Sequence, residues 1–168
     1  MLKYVFIVIM LLPVHAFAGT TESTLQYILD DYQAQCVASQ KESMEAVPEG
    51  EDLSAVRITV RDDSIYDIDI TSDGKKATVF YADPWCPQIG YGWCGTGGCK
   101  SYVIVDGISF EASGFKPMSV AVDDNSVVVM VPRAGGACLN TNGETPSNNV
   151  SCYSVAVWDD YSQTFNSM

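Results

Sequence analysis

Beyond residue 15 the chain contains no histidine. The single one, His15, falls inside an apolar leader, so the body of the protein has no imidazole to serve as a general base or to ligate zinc or copper. Ser-His-Asp and Cys-His catalysis are thereby excluded. Positive charge is scarce too: nine Lys and Arg stand against 21 Asp and Glu, a formal net charge of −12. Nucleic acid and anionic membrane surfaces repel such a chain, and a basic protein attracts it. No apolar run reaches the ~20 residues that a bilayer-spanning helix requires. There is no internal repeat, low-complexity tract or linker, which points to one domain.

What is present begins with MLKYVFIVIMLLPVHAFA. Lys3, the apolar run from Tyr4 to Leu12, the breaker Pro13 and Ala16-Phe17-Ala18 before Gly19 form the pattern of a secretory signal peptide cleaved after residue 18. No cysteine follows the cleavage site, so no lipid anchor is expected. The mature chain, 19–168, is then one 150-residue domain with eight basic and 21 acidic residues, a formal charge of −13. All six cysteines, Cys36, Cys86, Cys94, Cys99, Cys138 and Cys152, lie within it. An even count in an exported chain argues for three disulfides, and the short signal suits the bacterial periplasm, with secretion as the alternative.

Ser23-Thr24-Leu25-Gln26 reads as a capping box, and Leu25, Ile28, Leu29, Tyr32 and Cys36 follow on one helical face. An amphipathic helix of roughly twenty residues is expected, with Cys36 pointing inward to bind it to whatever it covers. After a Glu-rich connector the period falls to two. Val56, Ile58 and Val60 form one alternating run, Tyr66, Ile68 and Ile70 a second, and Ala77 to Tyr81 a third. Tyr102 to Val105, Asp106-Gly107, and Ile108 to Phe110 make a two-residue hairpin. Met118 to Val122 with Ser126 to Val131 suggests another, and Tyr153 to Trp158 with Thr164-Phe165 a third. The expected class is α+β: one N-terminal amphipathic helix packed on a largely antiparallel β-sheet of eight or nine short strands, stapled by disulfides.

Cys94-Gly95-Thr96-Gly97-Gly98-Cys99 is the densest motif. A redox dithiol more often has two intervening residues at a helix N-terminus; here there are four, ahead of a strand. The glycines suit a tight loop with left-handed angles, so the pair reads as a structural staple. A metal clamp would need a third ligand, and Cys86, between Pro84 and Pro87, is a poor one. Upstream, Tyr81, Asp83, Trp85, Tyr91 and Trp93 sit in a Pro- and Gly-broken stretch and are the candidate binding residues. Rigid aromatics on a pinned loop suit recognition. Alternatively Trp85 and Trp93 fold inward and shield the Cys94–Cys99 bridge.

The 93–99 motif, preceded by Cys86 and by Asp69-Ile70-Thr71-Ser72-Asp73-Gly74 and followed by Val157-Trp158-Asp159, resembles a loose group of small exported proteobacterial proteins of unknown function with a C-G-T-G-G-C signature. The resemblance spans roughly residues 65 to 160, only its Cys-Gly motif is specific, and it implies export and disulfides but no activity. Many members carry D-x-[ND]-x-D-G-x-x-D, where this chain has Thr71 at the middle position and Ala77 at the last.

Asp69, Thr71, Asp73 and Gly74 match half of a calcium loop, but its twelfth position is Phe80 rather than an acid, so a hairpin turn is expected and no metal. The pairs Asp30-Asp31, Asp62-Asp63, Asp123-Asp124 and Asp159-Asp160 have the chemistry of a two-carboxylate glycosidase, yet they fall at turns or on the helix's polar side, where acids are solvated. Asn149-Val150-Ser151 is a glycosylation sequon without consequence in a bacterial chain. Six cysteines permit fifteen pairings. The expected set is Cys36–Cys86, Cys94–Cys99 and Cys138–Cys152. Neither a catalytic residue nor a cofactor is indicated. The function expected is that of an exported non-catalytic binding protein, an inhibitor or immunity-type protein directed at a cationic cell-wall-targeting enzyme; the alternative is a carboxylate-dependent glycan-binding or glycan-hydrolysing protein.

Overall fold

The computed structural model describes residues 19–43, 56–87, 90–123, 126–133, 138 and 152–168. The expected signal peptide, the Glu-rich connector, Asp124 and the sequon lie outside the described residues.

Helix α1 runs Thr21–Ser43. Its cap is one turn earlier than the Ser23–Gln26 box expected from the sequence. Thr20 Oγ1 accepts from the Ser23 amide at 3.1 Å while Ser23 Oγ accepts from the Thr20 amide at 2.9 Å, a reciprocal pair that satisfies the first orphan N–H groups. The helix start is fixed to the sheet, because Thr24 Oγ1 donates to the Gly107 carbonyl and Thr21 Oγ1 accepts from the Asp106 amide.

Eight strands follow. β1 (Ile65–Asp69), β2 (Lys76–Ala82), β3 (Cys99–Val105) and β4 (Ile108–Gly114) form an antiparallel meander in that order. β5 (Met118–Asp123), β6 (Ser126–Arg133), β7 (Cys152–Asp159) and β8 (Thr164–Ser167) form a second. The α+β class stands, but the strands make two four-stranded sheets rather than one. Burial gives the reason: β3 is buried at six of its seven positions, so both faces of its sheet need cover. One helix covers one face, and β5–β8 fold back over the other.

Two apolar layers result. Ile28 and Tyr32 of α1 meet Phe80, Ala82, Tyr102 and Ile104 on one side of the first sheet. On its other side Ile68, Ala77, Val79, Val103 and Val105 meet Val129 and Trp158 of the second sheet. The register agrees: Val79 lies opposite Val103, and Phe80 opposite Tyr102, so each cross-strand pair shares a face. The Asp106-Gly107 hairpin forms as expected, with both residues at positive φ (48° and 85°). At the fold-back, the Phe115 amide donates to the Pro132 carbonyl at 2.7 Å, joining the end of β4 to β6.

The alternating run Val56–Val60 is not a strand. Only Thr59 makes a ladder contact, an isolated bridge to Trp85. Beside it the Gln33 side chain of α1 substitutes for a neighbouring strand, donating to the Val56 carbonyl at 2.8 Å and accepting from the Ile58 amide at 3.0 Å. Ile58 and Val60 still pack on the helix-side core.

Candidate functional site

The segment from Tyr81 to Cys99 joins β2 to β3 and is held by five contacts. Trp85 and Thr59 exchange backbone hydrogen bonds of 2.8 and 2.9 Å. Cys86, fully buried, is bonded to Cys36 of α1 and closes a turn with Gly90 through bonds of 3.0 and 2.7 Å. Gly95 and Gly98 exchange two further bonds of 3.0 Å, and Cys94 is joined to Cys99. The third bridge, Cys138–Cys152, lies at the start of β7. These are the three pairs expected from the sequence.

Between those anchors the aromatics divide. Pro84 and Cys86 point inward, while Trp85 between them is 38% exposed and Tyr91 is 51% exposed. Trp93 turns the other way, edge-to-face with Tyr32 of α1 at 4.9 Å between centroids, and joins the helix-side core. The loop thus divides: Trp85 and Tyr91 are exposed, and Trp93 packs into the helix-side core. Burial and the Tyr102 hydroxyl hold the Tyr32 phenol well above its ordinary pKa.

Arg61 and Lys116, which the sequence did not single out, and Asp63, which it offered only as half of a carboxylate pair, lie beside these rings. The Arg61 guanidinium lies 6.0 Å from the Tyr91 ring centre and pairs with Asp63 at 3.0 Å. Lys116, from the connection between the sheets, reaches the same Asp63 at 2.8 Å and lies 6.0 Å from the ring of Tyr81. Hydrogen bonds from Lys116 and Arg61 hold the Asp63 carboxyl below its usual range. Arg61 and Asp63 are two apart in sequence, which hints at their pairing. Lys116 is brought in only by tertiary structure.

Asp83 sits beneath this surface. One carboxylate oxygen, Oδ1, is buried without a hydrogen-bond partner, and desolvation raises its pKa against the opposing pull of Arg61. An oxygen of that carboxylate and the sulfurs of Cys94 and Cys99 lie within 4.8 Å of one another. The two sulfurs are bonded to each other, which removes them as metal ligands in this state.

The half calcium loop is a turn: Gly74 has φ 89°, the Ile70 amide donates to the Lys75 carbonyl, Asp69 is paired with Lys76 at 2.9 Å, and Thr71 donates to Asp73. Asp30, Asp31, Asp62, Asp63, Asp123 and Asp160 are exposed and Asp159 half-buried. None of the described members of these pairs is desolvated as an acid for glycoside cleavage would be.

No family model matches this chain, and no curated protein or solved structure does so either.

Proposed function

We propose that the protein is an exported, non-catalytic binding protein that recognises a cationic protein through Trp85 and Tyr91. The observation that carries this reading is the exposure of two large rings on a loop whose backbone is fixed on both sides by disulfides, bridges and core packing. Binding through such rings loses little conformational entropy where the backbone that carries them is already held, as Trp85 is by its bridge to Thr59. Charge supports the choice of partner. Among the described residues Arg61, Lys75, Lys76, Lys100 and Lys116 are each paired with an acid of this chain, and the sequence holds 21 acids against nine bases. Asp62, beside these paired groups in sequence, is exposed. A basic cell-wall-cleaving enzyme, of the class an inhibitor or immunity protein guards against, fits this complementarity.

Three disulfides, the absence of a described helix able to cross a membrane, and the likeness to small exported proteobacterial proteins support a periplasmic or secreted setting. The test is titration of the oxidised protein into basic cell-wall hydrolases at low and high salt. Tight binding at low salt that weakens at least tenfold at high salt, and again in Trp85→Ala, supports the reading. Salt-insensitive binding, or binding indifferent to Trp85 and Tyr91, overturns it. The same rings could stack on sugars, with Asp83 as a polar partner; saturation by neutral glycan oligomers without salt dependence would favour that second reading.

A further inference from the structure

We propose that the Cys94–Cys99 disulfide is a thiol–disulfide exchange site for an external dithiol, with Cys94 the sulfur attacked and Asp83 the proton donor to Cys99.

Three observations lead there. First, this bridge is placed where a staple contributes least. Its cysteines are five apart, against 50 and 14 for the other two bridges. The loop it closes is already closed by the reciprocal Gly95–Gly98 bonds, and Cys99 is held by its register with Gly114 on β4. Reduction therefore releases little chain entropy and leaves the surrounding ladder intact. Second, the two cysteines differ in exposure: Cys94 is half-buried, and Cys99 is buried at 3% exposure. An incoming thiolate reaches the first and expels the second. Third, Asp83 presents a buried, unpartnered carboxylate oxygen, and its carboxylate lies within 4.8 Å of both sulfurs. A polar atom left unsatisfied there is a cost, and a role in the exchange gives a reason for it. The ionisable groups acting on Asp83 are Arg61, which favours its charged form, and Tyr81.

The step balances as follows. A thiolate of the dithiol attacks Cys94 Sγ, the Sγ–Sγ bond breaks, and its electron pair passes to Cys99 Sγ, which takes the proton of Asp83. The second thiol of the reductant, deprotonated by solvent, attacks its own sulfur in the mixed disulfide and releases Cys94 as a thiolate, which is protonated by water. The reductant leaves as a disulfide, the site is a dithiol, and Asp83 recovers a proton from solvent.

The experiment treats the folded, oxidised protein with dithiothreitol or glutathione, alkylates, and locates the modified cysteines by peptide mass. Dithiothreitol should label Cys94 and Cys99 while both other bridges persist and near-ultraviolet dichroism is unchanged; glutathione, lacking the second thiol, should be trapped as a mixed disulfide on Cys94. The reduction rate per reductant thiolate should fall with rising pH as Asp83 ionises, by about a hundredfold, the lower end of what a placed acid supplies. In Asp83→Asn that profile should be flat. Reduction of Cys94–Cys99 only together with Cys138–Cys152, a mixed disulfide on Cys99, or parallel profiles in both proteins would overturn the proposal. These readouts are independent of the salt-dependent binding that tests the recognition surface.

Discussion

Cys36 of α1 is bonded to Cys86 of the aromatic loop, and neither residue exposes any surface. That bond fixes the helix and the loop to each other. Because it closes the longest span of the three bridges, the Cys36→Ala/Cys86→Ala double variant should lose about 4 kcal/mol, against about 3 for Cys138–Cys152 and about 2 for Cys94–Cys99. Urea denaturation of the three double variants checks the order; a larger loss from the 94–99 pair would contradict it.

Trp85 and Tyr91 should matter for binding and little for folding, whereas Tyr32 should do the reverse. Trp85→Ala and Tyr91→Ala are expected to change stability by no more than about 0.5 kcal/mol, as exposed substitutions do. Tyr32→Ala removes a ring packed on Phe80, Trp93 and Tyr102 and should cost about 3–5 kcal/mol. It should also shift Trp93 fluorescence to longer wavelength. Tyr32→Phe keeps the packing and should cost about 1 kcal/mol.

Alkali should unfold the protein in part through Tyr66. Burial pushes its phenol up to about 12, and its hydroxyl donates to the Pro117 carbonyl at 2.9 Å. The unfolded chain ionises this tyrosine near its ordinary 10. The contribution is therefore complete below that value and is lost as pH rises through about 12. Tyr66→Phe should make stability less dependent on pH across this interval, as measured by denaturation at stepped pH.

Asp83 has the opposite sign to a paired carboxylate. Its folded pKa is raised by desolvation, so the neutral form is favoured and the folded state loses stability as pH rises through its titration. Asp83→Asn should raise the melting temperature at neutral pH, and the gap should close on acidification.

Gly114 governs the approach of the two sheets. A Cβ there would overlap the Pro132 carbonyl oxygen and crowd Val131. Gly114→Ala should cost about 1–3 kcal/mol by overpacking. The Phe115 amide, bonded to Pro132, should lose hydrogen-exchange protection first.

The sequence by itself determined the helix face and the hairpins, because these depend on local spacing: a 3.6-residue period ending at Cys36 and an Asp-Gly turn. It left fifteen cysteine pairings open, and only the tertiary structure joins Cys36 to Cys86 across 50 residues. The sequence also confined histidine to residue 15, which is a matter of composition. Val56–Val60 misled because alternation reports burial of one side and not a strand partner, and here Gln33 of α1 supplied the backbone's hydrogen bonds. Only the tertiary structure decided that eight strands divide into two sheets, since that follows from both faces of β3 needing cover. It alone sent Trp93 inward and Trp85 outward, drew Lys116 to Asp63, and set the Asp83 carboxylate beside two sulfurs, because each of those contacts joins parts of the chain that no local period relates.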